Sequence, residues 1–194
     1  MRPYILAPLL MSCSIGITPG FDYTVDIDPA FSSEQEASII LALQQWDRAS
    51  DGRLHYTSIT HGQCVELGQE IGNTPGDNQV CYIAKSAQWI KDNDPFSSDP
   101  LAYTQLWPMS NHANVFLPIE ELSSDKFALI SLHESGHSLG LKHSQSDTLM
   151  CWDVGCMSAT ITCDDIAQFD DIRGVSDKSK TCPNGGTYTL SGKP

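Results

Sequence analysis

The stretch His133-Glu134-Ser135-Gly136-His137-Ser138-Leu139-Gly140-Leu141-Lys142-His143 constrains this chain more than any other. Residues four apart share one face of a helix, so His133 and His137 can aim ring nitrogens at one point with Glu134 beside them. Gly140 has no Cβ and can take the left-handed conformation that ends a helix, which lets His143 swing back to the same point. Three neutral imidazoles leave the fourth position of a tetrahedral zinc to water, as in a catalytic rather than a structural site. The competing reading is an accidental pattern on a solvated helix, which explains neither the glycine nor the third histidine. Such a helix must serve core and cleft at once: Leu129, Leu132, Gly136 and Leu139 form an apolar stripe, while His133 and His137 face outward.

His133 to His143 reproduces the HExxHxxGxxH pattern of the metzincins, and Ser144 directly after the third histidine resembles the matrixin branch, the family of the matrix metalloproteinases. Thr148-Leu149-Met150 is similar to the segment bearing the methionine of the family's Met-turn, which lies under the metal ligands. Met157 is a rival, but Met150 stands at the familiar distance from His143. Thr162-Cys163-Asp164-Asp165-Ile166 through Asp171-Ile172-Arg173-Gly174 resembles the helix that closes a matrixin catalytic domain. The likeness is strong over residues 124–174 and weaker over 22–123. It implies an α+β metzincin-type fold: a twisted, mostly parallel five-stranded sheet, two long helices, and a C-terminal helix after the Met-turn. The sequence shows no cysteine-switch motif and no haemopexin-like region, and Trp152 stands where the family usually has a proline.

The remaining segments supply such a sheet. Tyr23 to Asp28 alternates apolar and polar as a half-buried strand does. A helix follows from near Glu34, capped by Ser32 or Ser33, with Ile39, Leu43 and Trp46 on its buried face. Asp51-Gly52 turns the chain into a strand Leu54 to Ile59, and Val80 to Ala84 gives a third. A polar loop, Lys91 to Pro100, leads to a strand Leu101 to Leu106, expected at the sheet edge above the cleft, and Asn114 to Leu117 is the last. Ser123 or Ser124 caps the histidine-bearing helix. His55, His61 and His112 are expected to be structural or solvated, His112 as a surface residue.

Seven cysteines are too many for an ordinary reduced cytosolic enzyme of 194 residues and point to an oxidising compartment. Arg2 followed by the apolar run Tyr4 to Met11 suits an export signal and is too short for a bilayer, which needs about 20 residues. Leu10-Met11-Ser12-Cys13 resembles a bacterial lipobox, so Cys13 either carries a lipid or leaves with the leader. Residues 1–13 are thus expected to be a signal segment, 14–21 a linker, 22–174 the catalytic domain, and 175–194 a tail without periodicity tied down by Cys182. The six cysteines after Cys13 allow about 15 connectivities, of which Cys64–Cys81, Cys151–Cys156 and Cys163–Cys182 join near neighbours.

The net charge of -13 opposes nucleic acid and anionic membrane surfaces as partners. Asp92, Asp94 and Asp99 share one loop that could receive calcium or, as such loops more often do, stand solvated. The motif and the resemblance together imply one zinc ion on His133, His137 and His143 over Met150, with Glu134 as general base. They also imply a monomer cleaving a polypeptide laid along Ala102 and Tyr103. Trp152 would either wall the specificity pocket or fill core beneath the turn. The other class to weigh is a non-catalytic zinc-containing surface lipoprotein, against which an intact Glu134 speaks.

Overall fold

The computed structural model of the chain describes residues 21–50, 53–66, 78–93, 101–107, 112–120, 122–144, 147–174, 180–181 and 187–188. The expected leader with Cys13, the expected linker up to residue 20, the expected turn at Asp51-Gly52, and Asp94, Asp99 and Cys182 lie outside these residues. The elements in chain order are β1 (Phe21–Ile27), α1 (Ser33–Ala49), β2 (Leu54–His61), α2 (Gln63–Glu66), β3 (Gln79–Lys85), α3 (Ala87–Asn93), β4 (Tyr103–Trp107), β5 (His112–Pro118), α4 (Ser124–Ser138), α5 (Cys163–Ile172), β6 (Lys180–Thr181) and β7 (Thr187–Tyr188).

The sheet has the order β2-β1-β3-β5-β4, with β1, β2, β3 and β5 parallel and β4 antiparallel to β5. The expected α+β architecture with a mostly parallel five-stranded sheet is the one observed. Strand β3 is buried on both faces over most of its length, as parallel strands under helices are, whereas β1 leaves Asp22 and Thr24 exposed. In β3, Val80 and Tyr82 join the main core, while Cys81 and Ile83 join a second cluster with Cys64, Ile90 and Phe116. The Cys64–Cys81 disulfide closes that second face. Helices α1 and α4 cover the main face and pack on each other. Trp46 is buried between them, and its Nε1–H donates to the Leu132 carbonyl at 3.0 Å.

Several local expectations change. Ser32 is the cap of α1, in a reciprocal capping box with Gln35. At α4 the cap position is Ser123, whose side chain makes no capping bond, and Ser124 Oγ donates instead to Glu34. Leu129 is half-buried against the main core, to which Phe127 and Ile130 also belong. The edge strand begins at Tyr103 and reaches Trp107, so Leu101 and Ala102 precede it. The polar loop starts later than Lys91, because α3 continues to Asn93, whose Nδ2 donates to the Trp89 carbonyl. His112 is not a surface residue: it opens β5, is 1 % exposed, and lies 5.1 Å from the Trp107 ring. Its Nε2 is 2.9 Å from Asn114 Oδ1, and burial lowers its pKa. His55 is exposed in β2, and His61 pairs with Glu36 at 2.9 Å. In the tail, β6 and β7 form a short antiparallel ladder, and β7 touches α5. Among the described residues no helix is long and apolar enough to cross a membrane.

Candidate metal centre and active site

Helix α4 runs His133 and His137 along one face and then stops at Gly140, whose φ is +95°. The Gly140 N–H bonds to the His137 carbonyl and the Leu141 N–H to that of Gly136, closing the helix while its chain reverses. A side chain at position 140 would be strained there, since only glycine takes this φ readily. Three residues after Gly140, the chain presents His143 back toward the helix. The His143 Nε2 lies 3.3 Å from His133 Nε2 and 3.0 Å from His137 Nε2.

These spacings suit a metal. Nitrogens each about 2.0–2.1 Å from a tetrahedral zinc stand roughly 3.3 Å apart. His133 Nδ1–H donates to the Leu149 carbonyl and His137 Nδ1–H to that of Leu141, both at 2.8 Å. Each bond fixes the tautomer that leaves Nε2 with its lone pair for a cation. Burial, then the neighbouring His137, pushes the His133 pKa down to about 4, so this imidazole is neutral across the physiological range. Among the described residues, these three histidines are the one group of three or more His, Cys, Asp or Glu whose ligand atoms converge. Asp92 lies on α3, where it accepts from Gln88 Nε2, so the acidic cluster gives calcium no support from its described member.

Beneath the histidines, Met150 is fully buried against α4. Gly136 makes the approach feasible: a Cβ there would sit 2.5 Å from Met150 Sδ and 2.9 Å from Trp46 Cζ2. Met157 is half-buried farther along. Trp152 is 66 % exposed, which overturns the alternative that it packs into the core. It stands in the loop closed by the Cys151–Cys156 disulfide. Cys163 is disulfide-bonded as well, while its expected partner Cys182 is outside the described residues.

Three residues beyond those the motif marks also support the site. Asp165, 1 % exposed, accepts the backbone N–H groups of Leu149 and Met150, each at 3.1 Å, and also the N–H and hydroxyl of Thr162, each at 2.8 Å. One carboxylate therefore caps α5 and holds the segment whose carbonyl orients His133. Gln168 of α5 clamps the residue before His143, donating to the Lys142 carbonyl at 3.1 Å and accepting from the Lys142 N–H. Thr104 of β4 reaches Glu134, which is 6 % exposed. The spacing of Thr162 and Asp165 resembles a capping box and could have signalled the first. The other two are long-range pairs with no local signal.

The family model described as Matrixin, a peptidase M10 model, matches residues 22–177. Among solved structures, the chain is similar to archaemetzincin from Methanopyrus kandleri, at 12 % identity and a TM-score of 0.52, over 79 % of this chain and 96 % of that one. It is also similar to metalloproteinase-II from Bacteroides fragilis, at 15 % identity and a TM-score of 0.47, over 81 % of this chain and 54 % of that one. No curated protein sequence matches it significantly.

Proposed function

Because the chain belongs to the matrixin family of zinc metallopeptidases, we propose that it is an exported endopeptidase whose Glu134 activates the attacking water. The observation that carries this is the convergence of the His133, His137 and His143 Nε2 atoms, with Glu134 next to His133 on the same helix. A zinc ion held by these imidazoles would supply Lewis acidity to a carbonyl and bring the pKa of water toward about 7. Glu134 takes a proton from that water as it attacks the scissile carbonyl and delivers it to the leaving amine, with no covalent enzyme intermediate.

The polypeptide lies antiparallel along β4, the sheet edge beside α4, where a strand's spare backbone groups can pair with an extended chain. Tyr103 opens that strand and Ala102 precedes it, and the substrate backbone would run past both. The exposed indole of Trp152 borders the pocket for the residue after the cleaved bond, so Trp152→Ala should shift the preference there in a peptide-library digest. An unshifted profile would remove Trp152 from the specificity wall. The cysteine pairs support an oxidising destination, and the leader with Cys13 supports export with or without a lipid.

Metal binding and chemistry separate by substitution. Glu134→Gln should keep zinc near stoichiometric and lose most turnover, about a hundredfold or more, whereas His137→Ala should lose zinc and turnover together. Parent-like turnover in Glu134→Gln would leave a zinc-binding surface protein as the better account.

A further inference from the structure

We propose that Thr104 is a positioning residue for the general base, its hydroxyl holding the Glu134 carboxylate in register with the peptide on β4. This rests on Glu134 being the base. Thr104 Oγ1 donates to Glu134 Oε2 at 2.5 Å, while the Glu134 backbone carbonyl is 3.4 Å away. A hydroxyl proton serves one acceptor well at a time, and the short contact is in the range of a charge-assisted O–H···O⁻ bond.

The placement gives this bond its meaning. Glutamate has three rotatable side-chain bonds, so a carboxylate must be tethered if it is to meet water in one orientation. Thr104 supplies such a tether from the sheet edge. Thr104 pairs with Val115 of β5, one residue after the Tyr103–Phe116 pair, and β4 also contacts α4. The strand proposed to bind the peptide backbone therefore also fixes the base that acts on it. A shift of β4 along its neighbour would move substrate and carboxylate together rather than apart. Thr104 is half-buried and Glu134 is buried, so the bond is partly screened from solvent.

The test is kinetic, on the zinc-loaded full domain. Thr104→Val keeps the β-branched shape and removes the donor. It should retain zinc stoichiometry and melting temperature, keep KM for a peptide within about twofold, and lower kcat by about ten- to a hundredfold. Thr104→Ser, which restores a hydroxyl, should recover most of kcat. Should the valine disturb the strand, Thr104→Ala decides in the same terms. Combining Thr104→Val with Glu134→Gln should cost nothing beyond Glu134→Gln alone, because both act through one group. The inference is overturned by parent-like kcat in folded Thr104→Val or by a loss confined to KM or zinc content. A serine variant as poor as valine, or additive losses in the double variant, would overturn it as well. A fully active Glu134→Gln would remove the base itself, whatever the threonine variants do.

Discussion

Helices α1 and α4 lie side by side on the same face of the sheet and are of similar length, 17 and 15 residues, yet they are built on opposite terms. Helix α1 buries one stripe of Ile39, Ala42, Leu43 and Trp46, flanked by the partly buried Ile40 and Ala49, and carries a full capping box. Helix α4 buries residues on nearly every side, among them the polar Ser131, His133, Glu134, Ser135 and Ser138, and starts without a side-chain cap. Its serines turn inward on their own helix, Ser135 Oγ donating to the Ser131 carbonyl and Ser138 Oγ to that of Ser135, and Tyr82 adds a 2.8 Å bond to Ser135. One helix supports, and the other is supported. A helix surrounded by core, by α1 and by Met150 can hold imidazoles and a carboxylate in fixed places, which a one-sided surface helix cannot.

The contrast can be broken from the α1 side first. Trp46→Ala removes the largest buried side chain between the two helices along with its bond to Leu132, and should cost about 3–5 kcal/mol in urea unfolding. A loss under about 1 kcal/mol would mean α4 does not lean on α1. From the α4 side, Gly136→Ala forces a Cβ against Met150 and Trp46, and should cost about 1–3 kcal/mol and weaken zinc retention against a chelator. Unchanged zinc retention would show that Met150 does not support the histidines. The smallest effects compare the caps: Ser32→Ala should cost about 1 kcal/mol, and Ser123→Ala no more than about 0.5 kcal/mol, with peptide hydrolysis unaltered in both. Equal costs would erase the distinction at the helix starts.

The same contrast explains what was legible in the residues. Helix α1 follows from periodicity, since Ile39, Leu43 and Trp46 recur at helical spacing and are the residues found buried. Helix α4 follows only from its chemical motif. With polar and apolar residues buried on several sides, a single stripe of Leu129, Leu132, Gly136 and Leu139 describes it too narrowly, since Phe127 and Ile130 are buried as well. The strands were legible from alternation and apolar runs, with ends misplaced by a residue or two at β4 and β5, which put His112 in a loop. Two of the disulfides followed from proximity in the chain. Contacts that cross the fold left no mark: Thr104 to Glu134 spans 30 positions and Gln168 to Lys142 spans 26. Spacing patterns report neighbours along a helix or strand, and these partners become neighbours only once the sheet and α5 are assembled.

The Asp165 carboxylate also sets an order in time. A chain made from its N-terminus presents all three histidines before Asp165 exists, and until α5 docks nothing from Asp165 restrains the N–H groups of Leu149 and Met150. The Leu149 carbonyl that fixes the His133 tautomer sits on that same short segment. The His133 side of the cluster thus depends on a carboxylate that is synthesised after all three histidines. A nascent chain halted short of α5 would carry every residue of the motif and still lack the scaffold that aims it.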